Sequence, residues 1–246
     1  MSALDTAVLL AAGAGSRLRI AADSKPLCLV VDRPLIDHAL ERLAVAGVAR
    51  AIVVTGYRAE AIEEHLASRS WPLAVETVRT PDWQLPNGVS ALAAAAPLAG
   101  QSSLLAMCDH LVDPALYARM AAAGPGPGLR LGIDRRLGHP WVDPEDVTCV
   151  ATRGDGIVAI GKGLEPHDAY DTGVFAVGPA FFDALSHLSA PSITEAVRAL
   201  VIRGAAEIVD CSDLDWIDVD DPKALAAAEA FLRSSKSADG GAHLAL

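Results

Sequence analysis

The chain has 246 residues, with 31 Asp and Glu against 20 Lys and Arg and a formal net charge of -11. Hydrophobic residues make up 52% of it, but 47 residues are alanine, so small side chains carry much of the positive mean hydropathy of +0.31. No run of about 18 residues escapes charge, Pro and turn residues, which argues against a membrane-spanning helix, and an acidic balance without a Lys/Arg-rich run disfavours nucleic acid as a partner.

The pattern alternates strand and helix from the start. Thr6 to Ala11 is an apolar run ending in a Gly-rich turn and reads as a buried strand. Pro34 to Ala46 carries Leu35, Ile36, Ala39, Leu40 and Leu43 at helical spacing and stops at Gly47. Ala51 to Thr55 is a buried strand, Arg58 to Arg69 a helix with Ile62 and Leu66 on one face, and Leu73 to Val78 a strand. Asn87 opens an Ala-rich helix to about Ala96. Ser103 to Met107 is a strand, and Asp113 caps a helix through Ala123. The segment Gly124 to Gly128 breaks the pattern. Short strands follow at Leu129 to Asp134, Val147 to Thr152, Ile157 to Ile160 and Thr172 to Val177, with a hairpin signal at Gly154-Asp155-Gly156. Helices at Pro179 to His187 and Ser192 to Arg203, a strand at Glu207 to Val209 and a helix at Asp221 to Arg233 complete the series.

This order predicts an α/β fold: a doubly wound, mostly parallel (mixed) Rossmann-like sheet with a β-rich lobe laid against it. The length suits one domain over residues 1–236, divided into a nucleotide-binding half (1–123) and a β-rich acceptor half (124–236), with a flexible tail at 237–246. Cys28, Cys108, Cys149 and Cys211 are widely spaced, without CxxC or zinc spacing, and read as free thiols. No basic segment precedes a long apolar run at the start, so a cytoplasmic location is expected.

Three stretches stand out for chemistry. The first is Leu9-Leu10-Ala11-Ala12-Gly13-Ala14-Gly15-Ser16-Arg17-Leu18, with Lys25-Pro26-Leu27 soon after. Glycine lets backbone N–H groups come close to phosphate oxygens. Leu18 stands where the dinucleotide fingerprint needs its third Gly, and no GxxxxGK[ST] occurs. The second is Leu104 to Asp109, followed by His110. A carboxylate at the carboxyl end of a buried strand lies where doubly wound folds place ligands, and it suits Mg2+ as a hard oxygen ligand. The third is Asp218-Val219-Asp220-Asp221-Pro222, entering the last helix, where Asp221 reads as the cap.

The string LAAGxGxRL followed by KPL resembles the signature loop of sugar-nucleotide-type, MobA-like nucleotidyltransferases. The resemblance implies that Gly13, Gly15, Ser16, Arg17 and Lys25 hold a nucleoside triphosphate, with Leu10, Ala11, Ala12 and Ala14 in the same loop. It implies Mg2+ on Asp109 and Asp220, with Asp218 a neighbour left open. Pro86-Asn87-Gly88-Val89-Ser90, Ile133-Asp134-Arg135, Gly161-Lys162-Gly163, Tyr170-Asp171-Thr172-Gly173 and the pair Asp109-His110 together look like the inositol-1-phosphate cytidylyltransferases, from about Asp5 to Phe231. Those enzymes make CDP-inositol for a separate CDP-alcohol phosphotransferase. Carried over, Asn87, Gly88 and Ser90 approach the nucleobase and ribose. Lys162 reaches the α-phosphate or the acceptor phosphate. Asp134, Arg135 and Asp171 shape the acceptor pocket, and His110 supports the site residues from behind, contacts the acceptor, or makes a structural hydrogen bond. The sequence departs from the pattern at Cys108, where Ser or Gly is usual, at His167, where an aromatic is usual, and at Asp221, where Thr is usual.

The implied partners are CTP and a small phosphomonoester, with Arg17, Lys25 and Lys162 as the catalytic cations. Oligomeric state stays open, a homo-oligomer included. Other acceptors or bases on the same fold (phosphocholine, a phosphonate, a sugar 1-phosphate, a molybdopterin cofactor) and a non-catalytic nucleotide-binding regulator are the alternatives. Only four basic residues are Lys: Lys25, Lys162, Lys223 and Lys236. Two of them fall where the resemblance needs a cation against phosphate.

Overall fold

The run from Thr6 to Ala11 is buried at every position, so it forms a strand covered on both faces, as parallel strands of α/β sheets are. The structure, a computed structural model, describes residues 3–18 and 22–240. Its first half contains β1 (Thr6–Ala11), β2 (Leu29–Val30), β3 (Arg33–Pro34), α1 (Leu35–Val45), β4 (Arg50–Thr55), α2 (Ala59–Ala67), β5 (Ala74–Arg79), α3 (Asn87–Ala93), α4 (Ala95–Leu98), β6 (Ser103–Met107), β7 (His110–Val112) and α5 (Pro114–Ala123). Its second half contains β8 (Leu129–Asp134), β9 (Thr148–Arg153), β10 (Gly156–Lys162), β11 (Ala169–Val177), α6 (Pro179–Ser186), α7 (Ile193–Ile202), β12 (Ala206–Asp210), β13 (Trp216–Asp218) and α8 (Pro222–Gly240).

Nine strands form one sheet in the order β5-β4-β1-β6-β11-β8-β12-β10-β9. The β5-β4-β1-β6 part is parallel, with Leu9 opposite both Val53 and Ala106. Strand β11 joins it antiparallel, Phe175 opposite Leu105, and pairs antiparallel with β8 on its other side. The β-rich half therefore joins the first sheet edge to edge instead of lying against its face. This gives the mixed, doubly wound α/β sheet expected.

Alternate residues of β1 serve two cores. Ala7, Leu9 and Ala11 pack with Ile36, Leu40 and Leu43 of α1 and with Tyr117 and Met120 of α5. Val8 and Leu10 pack with Ala91 of α3, Phe181 and Leu185 of α6 and Val197 and Leu200 of α7. A third cluster joins Leu18, Val30, Leu111, Ile217, Val219 and Phe231, so the turn after β1, the β7–β13 pair and α8 are packed as one unit.

The Ala-rich helix expected from Asn87 to Ala96 is divided into α3 and α4 at Ala94. Pro97 has no N–H for the carbonyl of Ala93, which breaks the ladder there. The last helix runs on to Gly240, beyond Arg233 and into the expected tail, and residues 241–246 lie outside the described residues. The pairs β2–β3 and β7–β13 had no sequence signal, since two or three residues show no periodicity. Among the described residues no helix is long and apolar enough to cross a membrane.

The Ala-rich second core relies on a few large side chains. Phe181→Ala is expected to cost about 3–5 kcal/mol, because Phe181 is fully buried on α6. Ile202→Gln, at a position 87% exposed, should stay within about 0.5 kcal/mol of the parent. Urea unfolding midpoints check both.

Candidate active site

Strand β1 lies between β4 and β6, so the chain leaves it in opposite directions on either side, and a crevice opens at the carboxyl ends. A cavity of about 440 Å³ lies there. Leu10, Ala12 and Gly13 line it from β1 and the loop that follows, and Asn87 and Ser90 line it from α3. Trp141, Asp146, Lys162 and Asp171 line it from the β-rich half, and Asp109, His110, Asp218 and Asp220 complete it.

The short ribbon β7–β13 brings those last four together. Its register sets His110 opposite Asp218, and the Val219 N–H donates to the Asp109 carbonyl at 2.9 Å. Directly opposed residues of an antiparallel pair project on one face. The Gly-rich turn is fitted to Lys25. Gly15 has φ +56°, and a Cβ there would fall 2.3 Å from Lys25 Cβ. Leu18 is buried at the end of the turn and anchors it in the third core cluster.

Each cation assigned by resemblance to phosphate faces a carboxylate. Lys25 Nζ lies 2.6 Å from Asp109 Oδ2 and 3.8 Å from Asp218 Oδ1. Arg17 pairs with Asp146 at 2.5 Å and also with Asp220, and Lys162 pairs with Asp146. Burial opposes the Lys25 charge, but Asp109 and Asp218 outweigh it and push its pKa up. Burial likewise opposes the charge on His110, yet Asp218 lifts its pKa to about 9. In return, and against its own burial, Asp218 is brought down to about 2 by the His110 charge. Burial, then a hydrogen bond with Asp146, lifts Asp220 to about 7, while Asp146 is held well below the usual carboxylate range by that bond together with Lys162 and Arg17. Burial alone lifts Asp171 to about 6, against the hydrogen bond its carboxylate accepts from the Gly173 N–H.

The acidic residues have the chemistry of a hard-cation site. Ligand atoms of Asp109, His110 and Asp218 lie within 4.8 Å of one another, as do those of Asp146, Asp218 and Asp220. Asp218 Oδ1 is buried and accepts no hydrogen bond, so a coordinating atom is available where the two groups meet. These residues fit a divalent cation.

Of the residues expected at the site, Leu10, Ala12, Gly13, Asn87, Ser90, Asp109, His110, Lys162, Asp171 and Asp220 line the cavity. Ala11, Ala14, Gly15, Ser16, Arg17 and Lys25 do not line it, though Arg17 and Lys25 reach it through their acidic partners. Gly88, Asp134 and Arg135 do not line it either. Gly88 faces protein: a Cβ there would fall 2.5 Å from the Pro191 carbonyl oxygen, so its small size serves the packing of α3 on the loop before α7. Asp134 is fully buried in a pair with Arg136, and Arg135 turns to Asp168 and Asp210. Sequence reasoning missed Asp146, which lies in an acidic turn (Asp143-Pro144-Glu145-Asp146) that looks like ordinary turn chemistry.

Residues 7–158 match the MobA-like NTP transferase domain. The chain is 31% identical over 229 residues to the bifunctional IPC transferase and DIPP synthase of Rubrobacter xylanophilus, covering 91% of this chain and 51% of that protein. It is 28% identical over 241 residues to the CMP-5'-(3-aminopropyl)phosphonate synthase of Streptomyces rubellomurinus, covering 88% of this chain and 37% of that one. The chain thus spans about half the length, or less, of these curated relatives. Among solved structures it shares the fold of the inositol-1-phosphate CTP transferase from T. maritima, with a TM-score of 0.82 and 22% identity over 91% of this chain and 92% of that one.

The two loop glycines should respond differently to a methyl group. Gly15→Ala puts a side chain in left-handed backbone, at about 1–2 kcal/mol, and displaces Lys25. Gly13→Ala meets no atom within 4 Å and should leave the unfolding midpoint unchanged. Thermal unfolding of the two variants makes the comparison.

Proposed function

The chain belongs to the MobA-like NTP transferase domain family, and on that premise we propose that it transfers CMP from CTP to a phosphorylated alcohol, inositol 1-phosphate first, giving CDP-inositol and pyrophosphate. One observation carries the reading. Asp109 and Asp218, both held by Lys25 from behind the wall, line a cavity that has Gly13 in one wall and Lys162 in another. The choice of acceptor is supported by the names of the Rubrobacter relative and of the T. maritima structure.

In this reading a phosphate oxygen of the acceptor attacks the α-phosphorus of CTP. The bond from that phosphorus to the oxygen bridging to the β-phosphorus breaks, and its electrons leave with pyrophosphate. The nucleophile is already an anion at neutral pH, so the chain needs no general base. Its task is to position and neutralise phosphates that repel one another. Loop amides around Gly13 bind the triphosphate. Lys25 and Arg17 exchange their carboxylate partners for phosphate oxygens and stabilise the departing pyrophosphate, and Lys162 does the same at the reacting phosphorus. Asp109, Asp218 and Asp220 would hold a divalent cation, Mg2+ by their oxygen chemistry. Such an ion supplies charge neutralisation among the phosphates. Asp171 remains in the wall to accept hydrogen bonds from acceptor hydroxyls. The Streptomyces relative favours a phosphonate as the second acceptor to try.

A pyrophosphate-release assay with each of the four nucleoside triphosphates, Mg2+ and a panel of acceptors tests the reading. Release is expected with CTP and inositol 1-phosphate and should vanish with EDTA. No release with any pair would refute a transferase. Lys25→Ala should lower kcat by about 10²–10³ while circular dichroism stays that of the parent. Near-normal turnover would remove Lys25 from its role.

A further inference from the structure

Asp134 is 0% exposed and takes no part in the transfer as described. Its carboxylate accepts the Arg136 backbone N–H at 2.8 Å and the Arg136 guanidinium at 2.9 to 3.1 Å. It also accepts Trp216 Nε1–H at 3.0 Å. Arg136 is itself held by Asp215 Oδ1 and by the Leu214 carbonyl, both at 2.8 Å. A buried carboxylate satisfied on both oxygens has one orientation, and it sets the indole that donates to it.

The Trp216 ring lies nearly parallel to His110, with centroids 5.9 Å apart and planes 18° apart. The His110 Nδ1–H donates to the Thr172 carbonyl at 2.9 Å. That carbonyl sits in an irregularity of β11, whose register against β8 shifts between Asp171 and Phe175. Bulges of this kind re-aim a local group. Next to it Gly173 takes φ +76°, and a Cβ there would fall 2.3 Å from His110 Nδ1. The imidazole is thus fixed on one face, at one nitrogen and along one edge. Its other nitrogen, Nε2, stands 3.5 Å from Asp218 Oδ2.

We infer that Asp134, Trp216 and His110 are positioning residues, a chain of contacts that turns the Asp218 carboxylate so that Oδ2 faces His110 and Oδ1, which accepts no hydrogen bond and has Lys25 Nζ at 3.8 Å, is presented to a divalent cation. The inference rests on the cation reading of Asp109, Asp218 and Asp220. It changes the part expected of Asp134, which supports the site from behind, and among the roles left open for His110 it takes the one that serves Asp218. Groups behind metal ligands commonly change affinity by about 10–100-fold when altered.

The test measures Mn2+ binding to the full chain by electron paramagnetic resonance, without nucleotide or acceptor. Trp216→Phe keeps a ring against His110 but loses the N–H to Asp134. His110→Asn is a smaller change, for use should Trp216→Phe fold poorly. Each is expected to raise the Kd by about tenfold. Phe181→Ala, on the opposite face of the sheet, should lower the unfolding midpoint and leave the Kd alone. A Kd within about twofold of the parent in the folded variants overturns the inference, as does an equal shift in Phe181→Ala. A parent chain that binds no Mn2+ overturns it together with the cation reading. Mn2+ binding with the expected shifts, but no pyrophosphate release, supports the inference and refutes only the transfer.

Discussion

The antiparallel pairing of His110–Val112 with Trp216–Asp218 closes the end of the fold onto its first half. The strand before it, β6, leaves Asp109 at the carboxyl edge of the sheet. The stretch after β13 carries Asp220 into the start of α8. Without the ribbon these acids belong to segments on opposite sides of the β-rich half. With it, Val219 is bonded to the Asp109 carbonyl, His110 faces Asp218, and Leu111, Ile217 and Val219 enter one apolar cluster with Leu18 and Phe231. Apolar packing below the ribbon holds the charges above it.

Those charges are balanced locally. The chain as a whole is acidic, so its field does not draw in anionic ligands. The acids that line the cavity, Asp109, Asp146 and Asp220, are nevertheless paired with Lys25, Arg17 and Lys162. In the proposed reaction each carboxylate keeps a cation in place until a competing anion arrives, and each is left available to a metal when the cation moves to phosphate. The proposed reaction asks for this exchange of partners more than for proton transfer. Asp146 joins the two halves of the cavity in this respect, since it meets Arg17 from the loop after β1 and Lys162 from the end of β10.

Much of the parallel half was legible because its strands are buried on both faces and its helices carry apolar residues at helical spacing. The Thr6–Ala11 run and the Leu35–Leu43 face each show one period over enough residues to decide. A local string picks out the Gly13–Gly15 turn, Lys25 and Asp109, and the fold brings Lys25 Nζ within 2.6 Å of Asp109. The surroundings of Gly88, Asp134 and Arg135 were not legible, since a glycine or an acid beside a strand end looks the same whether it faces a ligand or a neighbouring helix. Packing against Pro191 decided Gly88, and the Arg136 guanidinium decided Asp134.

The sequence by itself determined the alternation of strand and helix, the family and the Gly-rich loop after the first strand, because these depend on periodicity and on contiguous residues. Tertiary structure alone decided that the β-rich half extends the sheet edge to edge, that Asp146 and Asp218 stand among the acids of the cavity, and that Asp134 lies behind Trp216. These are contacts between distant segments, and their partners are chosen by burial and hydrogen-bond satisfaction across the whole fold. No local pattern of residue types encodes that choice.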